Sequence, residues 1–297
     1  KPPFGVQVSA IGWIAACAQI GDDDDAADDD GGAFVLAGVA AGALGVAECF
    51  QQVRGRTPAA SRRRIAISLW RPDLQCDDDR ARGAAPALLP ASAWLIGLGN
   101  LGQAYLWSLG MLPYAAPSDL KLTLQDFDRI APSNDSTSML TEMALVGSYK
   151  TRAMAAWAER RGFGTTIVER RFDESLQVGP DDPVVALCGV DNAPARAALE
   201  EAGFARILEA GLGNGVSDFL ALRLHSFPAH RSARTIWPST APAPQASLDK
   251  PAYRALAAGG ADKCGLVQLA GRTVGAPFVG ALAGAMVVAE LVKLANG

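Results

Sequence analysis

Apolar residues along the chain change period several times, and each change marks an element. Phe4, Val6 and Val8 alternate with their neighbours ahead of Gly12, and Ile11-Gly12-Trp13-Ile14 comes next, which predicts paired short strands over residues 4–19. Residues 34–52 are small and apolar and predict a helix, and residues 64–70 read as a further strand. Residues 71–90 mix Arg, Pro, Asp and Ala without a period and predict a linker. Beyond it the alternation is that of a parallel sheet. A short apolar strand at 93–96 leads to Gly97, a helix continues through Ala104, Leu106, Trp107 and Leu109, and a second strand occupies 120–125. Helix 151–161, strands 165–170 and 184–188, helix 195–202 and strand 206–210 continue the order. Residues 219–226 alternate, and 233–237 are expected to pair with them as an antiparallel addition. Residues 238–251, with Pro242 and Pro244, predict a mobile loop before a last helix over 274–295. The pattern predicts an α/β fold with a mostly parallel central sheet, divided as 1–70, a linker 71–90, and 91–297.

Composition narrows the class. With 297 residues, 49% apolar and 20% charged, the chain can bury a sizeable core as one large domain or one and a half. The net charge is −4, and much of the acid lies in Asp22–Asp25 and Asp28–Asp30, which reads as a solvated loop. Arg62-Arg63-Arg64 is too short a basic run to point to nucleic acid. The five cysteines, at 17, 49, 76, 188 and 264, form no C-x-x-C pair, so neither a disulfide framework nor a structural zinc site is expected, and reducing cytoplasm fits best. The apolar stretches near 33–47 and 274–289 are shorter than a bilayer span and read as buried helices, with no membrane partner expected. They also resemble each other. Gly38 to Glu48 matches Gly280 to Glu290 at seven of eleven positions, which predicts two helices packed about a pseudo-twofold axis, within one chain or across a homodimer.

The candidate chemistry begins where strand 93–96 enters Gly97-Leu98-Gly99-Asn100-Leu101-Gly102. Glycines there permit a tight turn and close backbone approach, and the next helix offers free N–H groups to phosphate. Asp126 ends the next strand about 24 residues beyond Gly102, near the interval of about 20 expected for a ribose-binding carboxylate. A dinucleotide-binding oxidoreductase would account for that much. It leaves unexplained a longer ordered series: Asp126-Phe127-Asp128, Ser133-Asn134, Gly147 with Lys150, and Gly189-Val190-Asp191-Asn192 with Arg196. Lys150 opens a predicted helix, where an unpaired lysine opposes the helix dipole and a bound phosphate would relieve it.

This ordered set resembles the Rossmann-like adenylation domain of the ThiF/MoeB superfamily, which includes the ubiquitin-activating enzymes, over roughly residues 90–295. The resemblance implies ATP-dependent adenylation of the C-terminal Gly carboxylate of a ubiquitin-like carrier protein, with ATP and Mg²⁺ as cofactors. Gly97, Gly99, Asn100, Leu101 and Gly102 would line the phosphates, and Asp126 would hold the ribose. Asp128 would support its loop, or serve only as a strand-end cap. Asn134 and Lys150 would meet the phosphates. Asp191 would be the magnesium ligand beside Asn192, with a helix N-cap as the simpler role for either. Cys264, in Gly259-Gly260-Ala261-Asp262-Lys263-Cys264-Gly265, is the candidate thioester nucleophile ahead of a ubiquitin-conjugating-like enzyme. Much of the sequence also resembles bacterial ThiF-type proteins of the kind encoded beside ubiquitin-conjugating-like and deubiquitinase-like partners, which implies a ubiquitin-like conjugation system and, by association, an antiviral pathway. Simpler members pair as homodimers, and the ubiquitin-activating enzymes join an active to a degenerate repeat, so residues 1–70 are expected to be a degenerate adenylation-like region. One departure stands out. The family commonly has arginine where this chain has Thr137, so another cation, such as Arg129 or Arg152, or a partner chain would have to supply the charge. A nucleotide-binding subunit without turnover stays open on that ground.

Overall fold

The computed structural model describes residues 4–21, 32–55, 57–213, 218–238, 251–260 and 275–297. The acidic run at 22–30, most of the 238–251 loop, and Cys264 lie outside the described residues.

The larger sheet forms because its inner strands are apolar on both faces, which only a doubly covered parallel sheet can bury. Along β4 (Ser92–Ile96), Ala93 and Leu95 enter one core while Trp94 and Ile96 enter the other. With β5 (Lys121–Gln125), β6 (Gly164–Val168), β7 (Val185–Cys188), β8 (Arg206–Leu212) and β9 (Leu222–Phe227), the spatial order is β6-β5-β4-β7-β8-β9. The first five run parallel, and β9 pairs antiparallel with β8. Helices α2 (Asn100–Met111) and α4 (Lys150–Glu159) cover one face, while the short α5 (Ala193–Ala197) packs on the other. Strand order therefore reverses between β4 and β7, and a crevice opens at their carboxyl ends.

The chain up to about residue 70 makes a second sheet. Strands β1 (Val6–Ile11), β2 (Ile14–Gln19) and β3 (Ile65–Ser68) pair antiparallel, backed by α1 (Val35–Arg54). Trp13 is its anchor. Its ring is buried, lies 4.0 Å from Phe34 and 5.2 Å from Trp70, and its Nε1 donates to the Ala84 carbonyl at 2.7 Å. That bond comes from within residues 71–90, which form a strap rather than a loose tether: Asn296, the last residue of α8 (Pro277–Asn296), accepts from the Ala87 and Leu88 amides at 2.9 and 3.0 Å.

The two long apolar helices pack on each other, Phe50 of α1 meeting Phe278 of α8 with ring centroids 5.5 Å apart. Their shared glycines nevertheless make different contacts. A Cβ on Gly284 would lie 2.7 Å from the Ala104 carbonyl oxygen, so α8 needs glycine there to approach α2, whereas Gly38 and Gly42 of α1 have nothing within 4 Å among the described residues. Both helices are long and apolar enough to cross a membrane by length and composition; 61% of the apolar window of α8 is buried in this fold. One expected strand is absent. Residues 233–237 do not pair with β9, because Ser232 accepts from the Thr235 amide and starts the helical turn α6 (Ala233–Ile236), after α3 (Pro132–Asp135) and ahead of α7 (Pro251–Ala258).

Candidate functional site

The glycine loop sits at the reversal point, and each glycine has its own reason. Gly97 has φ +82°, and a Cβ on it would come 2.9 Å from Val190 Cγ1 at the end of the neighbouring β7. A Cβ on Gly102 would run into the Gly97 carbonyl, and one on Gly189 would lie 2.8 Å from the Gly102 amide nitrogen. These three let strand, helix and neighbouring strand touch through backbone. Gly99 differs, since nothing among the described residues lies within 4 Å of where its Cβ would be. It is the N-cap of α2 and no side chain caps that helix, so open space lies against uncapped helix N–H groups, a setting that suits phosphate. Leu101 is buried in the core and can offer only backbone.

Two side chains fix the peptide at Leu98, just before that space. Its amide donates to Asp126 Oδ2 at 2.7 Å, and its carbonyl accepts from Gln103 Nε2 at 3.1 Å. Gln103 also accepts from the Leu140 amide and the Thr141 hydroxyl, both at 3.0 Å, tying residues 140–141 to the loop. Gln103 is not among the residues the sequence singles out; the signal that could have found it is a polar residue on the apolar face of a helix. Asp126 uses its other oxygen on the Asp128 amide at 2.8 Å.

Lys150 is the first residue of α4 and is 8% exposed. Its Nζ lies 3.0 Å from Asp128 Oδ2 and 3.8 Å from Asp126 Oδ2. The expectation of an unpaired lysine is therefore corrected: two carboxylates supply its counter-charge, and a phosphate would have to share it. One ammonium against two carboxylates leaves this cluster with a formal excess of one negative charge, so a polyphosphate would have to bring its own cation. Among the described residues no cluster of three or more His, Cys, Asp or Glu could hold a metal by itself. Magnesium suits that donor set, since it is commonly held by one or two carboxylates together with substrate phosphates. Asp191, exposed at the end of β7, is the available carboxylate on the far side of the loop. Asn192 is the N-cap of α5, its side chain accepting from the Ala195 amide at 2.9 Å.

Asn134 turns inward on its own helical turn, accepting from the Ala131 amide at 2.8 Å. Thr137 donates its hydroxyl to the Ser133 carbonyl, and a Cβ on Gly275 would lie 3.1 Å from the Thr137 Cβ. The Asn100 amide is also packed there; both its Oδ1 and Nδ2 are buried without a hydrogen-bond partner among the described residues. Both alternative arginines have partners in this fold. Arg152 is paired with Glu169 at 2.8 Å, and Arg129 donates to the Gly147 carbonyl while stacking 3.9 Å over Tyr149. Arg129 forms an isolated antiparallel bridge with Tyr149, beside the Asp128–Lys150 pair.

The chain has relatives over most of its length. The family of the BilD C-terminal domain matches residues 89–297, and that of the BilD N-terminal domain matches residues 1–69. The bacterial E1-like protein BilD of Collimonas sp. (strain OK412) is 46% identical over 289 residues, which cover 96% of this chain and 62% of that protein. The chain thus spans 62% of the length of the curated relative it matches. Among solved structures, the E. coli tRNA N6-threonylcarbamoyladenosine dehydratase TcdA aligns with 14% identity and a TM-score of 0.43, over 69% of this chain and 85% of TcdA. TcdA in complex with ATP aligns with 15% identity and a TM-score of 0.41 over the same shares.

Proposed function

The chain belongs to the BilD family, and from that premise we propose that it is an E1-like enzyme that binds ATP and adenylates the C-terminal carboxylate of a ubiquitin-like protein. The observation that carries this reading is Lys150. Its buried ammonium lies between Asp128 and Asp126, and Asp126 also holds the glycine loop through the Leu98 amide, near open space at an uncapped helix N-terminus. In the proposed reaction a carboxylate oxygen of the carrier attacks the α-phosphorus of ATP, an acyl–phosphate bond forms, and the bond to the departing pyrophosphate breaks. Such a reaction needs charge neutralised and reactants held in line, with little acid–base work. The amides around Gly99 would take phosphate oxygens, Asp126 would add a ribose hydroxyl to the bonds it already makes, and Lys150 would exchange part of its carboxylate contact for phosphate. Asp191 would hold the magnesium that accompanies the nucleotide, which would supply the missing positive charge.

Thioester formation on Cys264 and hand-over to a conjugating enzyme, a cytoplasmic and antiviral setting, and pairing as a homodimer extend the same proposal. Thr137, standing where the family commonly has arginine, favours one competing reading: a subunit that binds nucleotide without turning it over. Exchange of labelled pyrophosphate into ATP, measured with the carrier present, separates the two. Carrier-dependent exchange supports the enzyme; ATP binding without exchange supports the binding subunit.

A further inference from the structure

Glu209 is fully buried in the middle of β8, an unusual place for a carboxylate. Its Oε1 lies 3.1 Å from Arg196 Nε, and its Oε2 bonds His225 Nδ1 at 2.7 Å. Burial pushes the Glu209 carboxyl up, while Arg196 and His225 oppose that rise. Arg196 does not give Glu209 its Nε–H, which goes to the Val190 carbonyl at 2.9 Å and leaves Glu209 Oε1 without a hydrogen bond among the described residues. The guanidinium is also seated on Trp237, 5.4 Å from the ring centroid. Glu209 thus holds Arg196 by charge, and Arg196 holds the backbone at Val190.

Val190 immediately precedes Asp191. The turn from β7 into α5 is fixed at its other end as well, where the Asn192 side chain accepts from the Ala195 amide and the Asn192 carbonyl from the Arg196 amide. A buried ion pair is a poor way to gain stability, because desolvating the charges commonly cancels their attraction, and an apolar pair of similar size would serve the core as well. What the pair does supply is a fixed position for one carbonyl group.

We propose that Glu209 is a positioning residue: acting through Arg196, it sets the main chain at Val190 and thereby the place of the Asp191 carboxylate. The inference rests on the reading of Asp191 as the carboxylate that meets nucleotide-bound magnesium. It adds two residues that touch neither nucleotide nor metal. Residues that orient a metal ligand commonly change metal affinity by about 10–100-fold when replaced.

The test is the ATP-induced shift in melting temperature, measured with magnesium and with a chelator, in the wild type, Asp191→Ala, Arg196→Lys and Glu209→Gln. Glu209→Gln keeps the shape and the bond to His225, so it reports on the charge even where Arg196→Lys folds poorly. In the wild type magnesium enlarges the shift, and Asp191→Ala removes that enlargement. Arg196→Lys and Glu209→Gln are expected to raise the magnesium concentration for half of the enlargement by about tenfold or more, with the metal-free shift unchanged. Adding Arg196→Lys to Asp191→Ala is expected to change nothing further. An unchanged magnesium dependence in both single variants, or an equal loss of both shifts, overturns the inference. Absence of any ATP-induced shift in the wild type overturns the nucleotide reading itself, and the inference with it.

Discussion

Lys150 stands where the helix dipole is least favourable to a cation, and Asp126 and Asp128 answer it. Removing its ammonium would leave two carboxylates facing any bound phosphate. Lys150→Ala and Asp191→Ala are therefore each expected to lose a factor of about 10² or more of carrier-dependent pyrophosphate exchange, as for a charged transition-state contact. Full exchange in either variant would contradict the assignment. The cysteines make a second residue-scale prediction. Burial pushes the Cys188 thiol up to about 12 and Cys17 up to about 11, with Glu48 adding to the rise at Cys17, so neither forms appreciable thiolate near pH 8. Mass spectrometry after brief iodoacetamide treatment of the folded protein at pH 8 should find both unmodified, and both modified once denaturant is added. Early labelling of Cys188 would mean that β7 opens readily.

At the scale of elements, the close approach of backbone to backbone decides the site. Gly102, Gly97 and Gly189 leave no room for a methyl group, so Gly102→Ala must push α2 away from β4. A loss of about 1–3 kcal/mol in denaturant unfolding is expected, with weaker ATP binding because the loop moves with the helix. The α2–α8 contact makes the same demand at Gly284, whose Cβ would lie 2.7 Å from Ala104 O and 2.9 Å from Ser108 Oγ. Ala283, fully buried on α8, and Ala41, 2% exposed on α1, should each cost about 1–3 kcal/mol on replacement by leucine, read from the urea midpoint. Gly42→Ala on the open face of α1 should instead be neutral or slightly stabilising, since alanine favours a helix by about 1 kcal/mol over glycine. A large loss there would show that something covers this face.

Across the whole molecule, the N-terminal unit braces the C-terminal half through α8. One side of α8 meets α2 and the sheet, and the other meets α1, while Lys293 near its end donates to the Trp70 carbonyl at 3.0 Å. A chain of residues 89–297 alone would expose the α1-facing side of an apolar helix and lose the bond to Trp70. It is expected to melt at lower temperature than the full chain and to bind the dye ANS; equal stability by calorimetry would show that the N-terminal unit plays no structural part.

Much of this architecture is legible in the sequence, because the parallel strands announce themselves as short apolar runs and the helices as periodic ones. The glycine loop is legible for a related reason: only glycine tolerates the backbone approach at Gly97 and Gly102, so the motif records a steric demand. The helical turn at 233–236 passes for a strand because so short a run has no period to distinguish, and the Ser232 cap decides it. The partners of charged side chains are not legible at all. Lys150 finds Asp126 and Asp128, Arg152 finds Glu169, and Glu209 finds Arg196 and His225 across gaps in sequence that only the folded sheet closes. Local sequence sets local conformation and the sterics of neighbouring residues; which charges meet depends on strand order, and strand order is a property of the tertiary fold.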